Sequence, residues 1–346
     1  MKSHSEFGWF LNTSEIKMGG SSVLGENYVA FYIIHVVAMC VLITSVISCV
    51  AVISSILWGI WKARCHDQMR KRSRMDFADR FPFYIALGDG LWGISHLADH
   101  VYLVTTQHFP YTQAATNLFS LNVWIFGAYQ QLMHVGLAIY TYLRIVRGVD
   151  INLGTAEWKL HATSAVLIII PIAIFFPLDA YGLSGYWVFL NINATAGSVF
   201  GFYIAVAGAA HALGTTIAYL QIKGIVERQK QVLKERRKMV NKKSDRNSTA
   251  SECLTTFVAI SVFLYCPLPI LNFAFAVETM FGVIEPITVT LTVIAANSSG
   301  WVNALGYFHN LRIKAARERR VKAEKLTMVT ATTSNGESSS RLSVSS

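Results

Sequence analysis

The stretch Tyr28–Trp61 reads YVAFYIIHVVAMCVLITSVISCVAVISSILWGIW and contains no Asp, Glu, Lys or Arg. Lys62 and Arg64 follow it directly. A helix needs about 20 apolar residues to cross the hydrocarbon core of a bilayer, and a longer run crosses it with tilt. This stretch therefore predicts a membrane-spanning helix that ends in a basic, water-facing segment.

The same alternation of apolar run and basic cluster repeats along the chain. Lys and Arg are absent from 81–143, 160–222 and 253–311, whereas they gather at 62–80, 144–159, 223–246 and 312–325. Long apolar runs inside the cation-free gaps predict an all-α protein, a membrane seven-transmembrane helix bundle. The predicted spans are 28–61, 81–106, 115–146, 160–176, 198–222, 254–277 and 283–308.

The distribution of the cations also predicts the orientation of the bundle. The three loops on one side hold seven, three and ten Lys or Arg and the C-terminal segment holds eight, whereas the three loops on the other side hold none. Because Lys and Arg are enriched on the cytoplasmic side of a membrane, the N-terminal residues 1–27 are expected outside the cell and the C-terminus inside. We expect a multi-pass protein of the plasma membrane, glycosylated at the outer sequons of Asn12 and Asn193.

The overall composition favours a membrane protein and argues against nucleic-acid binding. The chain is 53% hydrophobic and only 14% charged, whereas a soluble domain has about 25% charged residues. Its net charge of +10 is segregated between apolar runs, where it fits contact with anionic membrane lipids. The five cysteines fall in predicted spans or cytoplasmic segments, so no outer disulfide is expected.

Three cytoplasmic segments have distinct patterns. Apolar residues at helical spacing in 223–243 predict an extension of the fifth span beyond the bilayer. Residues 311–326 predict a short basic amphipathic helix along the inner headgroups. Residues 327–346 contain eleven Ser or Thr in twenty positions, which is typical of a disordered tail.

The ends of three spans contain local motifs. The third span ends with Tyr140–Arg147, the seventh with Gly300–Asn310, and the sixth contains Tyr265–Pro269 with two prolines. A proline inside a span removes a backbone hydrogen bond and predicts a kink that can act as a hinge.

With seven spans and an outer N-terminus, these endings resemble the G-protein-coupled receptor superfamily. The endings of the third and seventh spans resemble its cAMP-receptor-like group of fungi and slime moulds. The resemblance implies movement of the sixth helix, coupling to a heterotrimeric G protein, and kinase and arrestin-like partners at the tail. By the same resemblance the switch residues would be Asp89, Tyr142, Pro267, Pro269, Asn303 and Tyr307. The coupling residues would be Arg144, Arg147, Lys223 and Arg228.

The chain departs from the receptor patterns at three points. Leu143 stands before Arg144 where many receptors have an acidic residue, and Ala304 follows Asn303 where many have proline. The cysteines that join the third span to the second outer loop are absent. The ligand therefore does not follow from the resemblance.

Ionisable side chains inside the spans are the strongest candidates for a site, because each is costly to hold in a membrane. Asp89 lies near the middle of the second span, and His96, Asp99 and His100 share one face of its outer half. The predicted ligand-binding residues are His96, Asp99, His100, Trp124, Tyr129, Gln130, Asn272 and Glu285. Two other interpretations of the histidines stay open: a zinc site completed by His134 or His211, and ordinary polar residues at the interface.

Four function classes follow from these patterns. The first is a receptor for an unknown extracellular ligand, with neither enzymatic activity nor a cofactor. The second is a zinc-dependent lipid hydrolase, and the third a transporter, although no internal repeat is visible. A retinal protein is excluded because the seventh span has no Lys for a Schiff base. The cation-free outer side disfavours a strongly anionic ligand.

Overall fold

The computed structural model describes residues 28–66, 77–149, 151–237, 245–281 and 285–316, together with 319 and 323. These residues form a helical bundle with one short hairpin. The helices are α1 (Tyr28–His66), α2 (Phe77–Thr106), α3 (Gln113–Ile145), α4 (Trp158–Phe175), α5 (Thr195–Arg237), α6 (Asp245–Tyr265), α7 (Pro267–Met280), α8 (Pro286–Asn297) and α9 (299–316). The hairpin strands are β1 (Tyr181–Leu183) and β2 (Val188–Leu190).

The helices lie where the hydropathy pattern predicts them, which confirms an all-α protein. Among the described residues four helical stretches are long and apolar enough to cross a membrane: Tyr28–Lys62, Thr155–Phe175, Thr195–Gln229 and Leu254–Met280. In the most apolar part of each stretch, only 17 to 39% of the residues are buried inside the protein. Most of this apolar surface faces outward, which indicates a membrane protein.

Helices α2 and α3 are not apolar enough to count among these four stretches, because they contain several polar side chains. Asp89, Asp99 and His100 on α2 and His134 on α3 are all 0 to 1% exposed. These side chains lower the mean hydropathy of the helices while pointing away from the outer surface. The inside of the bundle is therefore more polar than much of its outside.

Helix α3 occupies the centre of the bundle. It contacts α2, α4, α5 and α6, while α1 packs against α2 and α8, and α7 packs against α5 and α8. Aromatic and aliphatic side chains pack at both ends. At one end, called the hairpin end, Phe31, Trp187 and Phe275 belong to one cluster. At the other, called the basic end, Phe81, Ile222 and Phe257 belong to another.

Two of the predicted spans are interrupted. Cys266 separates α6 from α7, and Pro267 occupies the first turn of α7. The prolines thus interrupt the hydrogen-bond ladder of the sixth span, although Cys266 keeps helical φ and ψ of −65° and −38°; this interruption is called the break at Cys266. The predicted seventh span is divided by Ser298 into α8 and α9, which the sequence pattern did not anticipate. At this second break a Cβ on Gly300 would lie only 2.8 Å from the Cβ of Ser45, so α9 approaches α1 at backbone distance.

The segments that the sequence predicts to be cytoplasmic are described in part. Helix α5 continues without a break to Arg237, as the predicted extension requires. Helix α9 continues through residue 316, so residues 311–316 prolong it and do not start a separate amphipathic helix. Residues 1–27 with Asn12, most of 317–326, and the tail 327–346 lie outside the described residues.

Candidate functional site

Asp89 is the centre of a set of buried polar side chains that we call the polar junction: Asp89, Gln130, His134, Ser261, Ser299 and Asn303. Its Oδ1 accepts hydrogen bonds from Gln130 Nε2 at 2.7 Å and Ser299 Oγ at 3.1 Å. Its Oδ2 accepts one from Asn303 Nδ2 at 2.8 Å. Gln130 Nε2 also contacts Ser299 Oγ. Both carboxylate oxygens are therefore paired, although Asp89 is 1% exposed.

His134 extends the polar junction to α6. Its Nδ1 lies 2.7 Å from Ser261 Oγ, and its Nε2 lies 3.2 Å from Asn303 Nδ2. Because the Ser261 hydroxyl already donates to the carbonyl of Phe257 at 2.9 Å, it accepts from His134 Nδ1–H. His134 Nε2 then carries a lone pair that accepts from Asn303. With this placement of the protons, hydrogen bonds connect α2 to α9, α9 to α3 and α3 to α6.

The break between α8 and α9 adjoins the polar junction. The last carbonyl groups of a helix lack partners within it, and Ser45 Oγ of α1 donates to the carbonyl of Asn297 at 2.6 Å. Trp92 Nε1 of α2 donates to the Asn297 side-chain oxygen at 3.0 Å. The break is thus held by hydrogen bonds from two neighbouring helices.

The break between α6 and α7 also lies beside the polar junction. Tyr265, the last residue of α6, packs its ring 5.0 Å from that of His134 and 4.9 Å from that of His211 on α5. Its hydroxyl has no hydrogen-bond partner, although the side chain is buried. A shift of the α6–α7 angle would therefore move a side chain in direct contact with His134.

A second buried set, the histidine chain, lies at the hairpin end and consists of His35, His96 and His100. His35 Nε2 lies 2.9 Å from the carbonyl of Tyr186, to which it must donate. His35 Nδ1 is 2.6 Å from His100 Nδ1, and His100 Nε2 is 3.2 Å from His96 Nε2. With one proton on each ring, His96 donates to His100 and His100 to His35. His96 Nδ1 is left as an acceptor without a partner.

Asp99 lies next to the histidine chain but is not part of its hydrogen bonding. It is 0% exposed, and neither of its carboxylate oxygens has a hydrogen-bond partner. The backbone of Val188 is near enough to act on it electrostatically, but outside hydrogen-bond geometry. Its Oδ2 lies 4.0 Å from His96 Nδ1.

The β1–β2 hairpin closes this end of the bundle. Its strands pair in antiparallel register from Tyr181 with Leu190 to Leu183 with Val188, and Gly185 makes the turn with φ of 77°. Tyr181, Val188 and Leu190 are at most 2% exposed. Burial raises the pKa of the Tyr181 phenol well above its usual value, so this side chain is neutral. The hairpin is a packed plug, held to α1 through His35.

A cavity of about 330 Å³ lies between the hairpin and the polar junction, within the range of roughly 300–1,000 Å³ of small-molecule sites. Trp187 and His96 line it near the hairpin, and Gln130 and Tyr265 line it near the junction. Among the predicted ligand-binding residues, the lining includes His96, Trp124, Gln130 and Asn272. Trp124 is fixed there, since its Nε1 donates to the carbonyl of Ile168 at 3.1 Å.

Four residues predicted to bind ligand lie elsewhere. Asp99 and His100 are buried behind His96, outside the cavity lining. Tyr129 turns toward α4, where its hydroxyl lies 3.1 Å from His161 Nδ1. Glu285 is exposed before α8 and its backbone N–H donates to Glu278. None of these four lines the cavity. Asp99 and His100 lie one turn beyond His96 on the same face of α2, and Tyr129 points toward α4.

The residues predicted to couple to a partner lie at the basic end. Arg144, Arg147, Lys223 and Arg228 are all exposed, and Arg144 Nη1 donates to Tyr140 OH at 3.0 Å. Of the remaining predicted switch residues, Tyr307 donates to Ser55 at 3.4 Å and Tyr142 packs in the apolar cluster of the basic end. Asn193 is exposed just before α5, where a glycan would be accommodated.

The loop between α3 and α4 is pinned to α2 by an ion pair that sequence reasoning missed. Glu157 Oε1 lies 2.7 Å from Arg80 Nη2, and Glu157 Oε2 accepts from Tyr84 OH at 2.8 Å. Ala156 and Glu157 both have positive φ, 53° and 54°, which is unfavourable for non-glycine residues. The contacts of Glu157 hold this strained loop against the bundle.

The zinc interpretation of the histidines finds no geometric support. Within the part of the chain that the structure describes, no group of three or more His, Cys, Asp or Glu is arranged to hold a metal ion. His134 faces Ser261 and Asn303 in the polar junction, away from His96 and His100.

Comparison with known proteins gives no relative. No protein-family model matches the chain, and no curated protein has a similar sequence. Function is therefore inferred from the residues and their geometry alone.

Proposed function

We propose that the chain is a seven-span receptor of the plasma membrane, with the hairpin end outside the cell and the basic end in the cytoplasm. A ligand in the cavity would activate a heterotrimeric G protein bound at the basic end. The observation that carries this proposal is the polar junction. It links α2, α3, α6 and α9 through side-chain hydrogen bonds. It adjoins the cavity through Gln130 and the break at Cys266 through Tyr265.

The cavity and the basic end are connected through α6 and α7. Asn272 and Phe275 of α7 line the cavity, whereas Leu254 and Phe257 of α6 pack at the basic end. A ligand that binds one arrangement of the break more tightly than another shifts the population toward that arrangement. Turning α6 at Cys266 would separate Ser261 from His134 and open the basic end.

The basic end has exposed cations and a projecting helix, and both support a docking site for a cytoplasmic partner. The helical extension of α5 to Arg237 projects there, and Arg144, Arg147, Lys223 and Arg228 are exposed around it. The concentration of cations on this side follows the rule for cytoplasmic segments. These features support the orientation as well as the docking site.

The receptor proposal is tested with purified protein in lipid nanodiscs and a panel of heterotrimeric G proteins, by measuring guanine-nucleotide exchange. Ser261→Ala removes the acceptor of His134 and is expected to raise basal exchange several-fold, since the loss of one hydrogen bond shifts an equilibrium by up to roughly tenfold. Ser164→Ala is the matched control, because Ser164 is also buried and donates to a helix carbonyl but lies on α4. If neither the wild type nor Ser261→Ala stimulates any Gα class, the receptor proposal fails.

The proposed orientation has its own test. The Asn193 side must be outside the cell, so expression in a glycosylating host is expected to give a glycan that is lost in Asn193→Gln. A glycan at Asn247, whose Asn-Ser-Thr sequon lies on the side predicted to be cytoplasmic, with Asn193 unmodified, would contradict the placement of the hairpin end.

A transporter is the second candidate, and one observation favours it. Two interrupted helices meet near a buried Asp89, and discontinuous helices often form ion sites in transporters. Each interruption here is a single residue, Cys266 or Ser298, which leaves little unwound backbone for an ion. Proton or sodium flux into proteoliposomes that is abolished by Asp89→Asn would favour transport over signalling.

A further inference from the structure

The hairpin leaves no obvious route from the outer solution to the cavity. Trp187 and Leu190 line the cavity on its hairpin side and are 7% and 2% exposed. Ser184 Oγ donates to the carbonyl of Leu190 at 2.7 Å, and the Leu190 N–H contacts the same hydroxyl. Helix α3 adds Ser120, whose hydroxyl lies 3.5 Å from the carbonyl of Gly182. A water-borne ligand would have to displace a packed and hydrogen-bonded plug.

The cavity instead reaches the outer surface of the bundle between α4 and α5. Three of its lining residues are exposed: Leu167 on α4, and Tyr203 and Ala207 on α5. Leu167 is 46% exposed and Tyr203 41%. The apolar residues Val166 and Val206, which flank this opening, are 56% and 68% exposed, so the opening lies on the surface assigned to lipid. Phe175 bridges α4 and α5 nearer the hairpin, with its ring 4.6 Å from that of Phe200.

The chemistry inside the cavity selects a neutral molecule. No Asp, Glu, Lys or Arg of the described residues is among its lining. Trp187, His96, His211 and Tyr265 each have a buried polar atom without a hydrogen-bond partner, but these atoms are inaccessible, so none of them faces the open cavity. The lining also includes the uncharged amides Gln131 and Asn272, which are only partly buried. An amide both donates to and accepts from a hydroxyl, so these two side chains suit an uncharged polar group.

We propose that this cavity binds a compact, neutral amphipathic molecule, an apolar body with a hydroxyl or similar uncharged group, which enters from the bilayer between α4 and α5. Its apolar part lies against Trp124 and Phe275, and its polar group lies against the amides of Gln131 and Asn272. This inference names the ligand class for the proposed receptor, and in calling the occupant an activating ligand it rests on that proposal. The binding itself does not depend on a G protein.

The test uses a photoreactive medium-chain alcohol as the probe, with the purified full chain in phospholipid nanodiscs and peptide mapping of the labelled sites. Saturable labelling is expected at cavity residues of α3, α5 and α7. Ala207→Phe narrows the opening and is expected to lower this labelling at least tenfold. Val206→Phe is the matched control, since it adds the same side chain one position away on the outer face, and is expected to leave labelling within twofold of wild type.

Two further variants secure the result. If Ala207→Phe does not give a monodisperse protein, Leu167→Phe narrows the opening from the α4 side. Asn272→Leu keeps the size of the side chain but removes its amide, and should weaken alcohol labelling by roughly tenfold, the effect of one hydrogen bond, while leaving a matching hydrocarbon probe unaffected.

Three outcomes would overturn the inference. They are cavity labelling that is unchanged in the narrowed variants, labelling restricted to lipid-facing residues such as Val206, and stronger cavity labelling by a carboxylate or ammonium probe than by the alcohol. The receptor proposal fails separately. Cavity labelling without nucleotide exchange would support the binding of the neutral molecule and contradict the receptor proposal. Nucleotide exchange without cavity labelling would support the receptor proposal and contradict this binding.

Discussion

Asp89 and Asp99 lie on the same helix and are both buried, yet their surroundings differ. Asp89 accepts three hydrogen bonds from α3 and α9, whereas Asp99 accepts none. The first carboxylate is a structural centre that holds helices together. The second lies in a region where His96 and Trp187 also have unpaired atoms. The difference shows that one buried polar set is complete around its carboxylate, while the other contains polar atoms that the fold leaves unpaired.

The two regions also differ in what they adjoin. The polar junction touches both helix breaks, through Tyr265 at one and Ser299 at the other. The histidine chain joins the hairpin to α1 and α2. A ligand in the cavity between them contacts both sets, and we expect the junction to transmit a change that begins at the histidine chain.

The isosteric pair Asp89→Asn and Asp99→Asn is expected to give the largest contrast. Asparagine at 89 places an NH2 group against a donor from Asn303 or Gln130, so the free energy of unfolding should fall by about 2–3 kcal/mol. Asparagine at 99 breaks no hydrogen bond and replaces an unpaired buried carboxyl group, so it should leave the free energy of unfolding unchanged or raise it. Thermal unfolding of the detergent-solubilised variants measures both. Equal destabilisation would show that the two carboxylates are not distinguished by their pairing.

His35→Phe is expected to have an intermediate effect that is confined to the hairpin. It removes the hydrogen bonds of His35 to Tyr186 and His100, a loss of about 1–2 kcal/mol. Hydrogen exchange of residues 181–190 should become faster, while exchange of α6 near Ser261 stays the same. Asp89→Asn serves as the reciprocal control, because it should accelerate exchange around the polar junction and leave the hairpin protected. Loss of protection everywhere in His35→Phe would indicate global destabilisation in place of local opening.

The positions of the helices could be predicted because their signals are local. Apolar runs and segregated cations locate α1 to α5. The closely spaced Pro267 and Pro269 indicate the break before α7. Asp89 and Asn303 could be selected one by one as costly or family-like residues, but not as partners. They are 214 positions apart and lie 2.8 Å from each other only because α2 and α9 pack side by side.

Several missed features did have a signal. The run Asn297–Gly300 places helix-capping residues inside an apolar span, which is a stop and start pattern. Alternating Tyr181, Trp187 and Phe189 around Gly185 follow a hairpin pattern. Tyr129 could not be excluded by helical spacing, because its sequence neighbours Ala128 and Gln130 both line the cavity, whereas Tyr129 points to His161 on α4. His35, by contrast, is the single histidine of the apolar run 28–61, and its role depends on His100, a partner 65 residues away.

Pro267→Ala is expected to have the smallest effect on stability and the most informative effect on coupling. Pro267 occupies the first turn of α7, where its missing N–H costs little, so the free energy of unfolding should change by less than about 0.5 kcal/mol. Alanine supplies an N–H at the break and favours a continuous α6–α7 helix. Tyr265 and Leu268 line the cavity on either side of the break, but Pro267 does not. Basal nucleotide exchange should therefore fall while labelling of the cavity by the alcohol probe is retained. Pro171→Ala is the matched control, since Pro171 lies inside the unbroken helix α4 and should alter neither measurement. If Pro267→Ala instead abolished labelling and left exchange intact, the break would belong to the ligand site, and the division between a receiving region and a transmitting region would have to be abandoned.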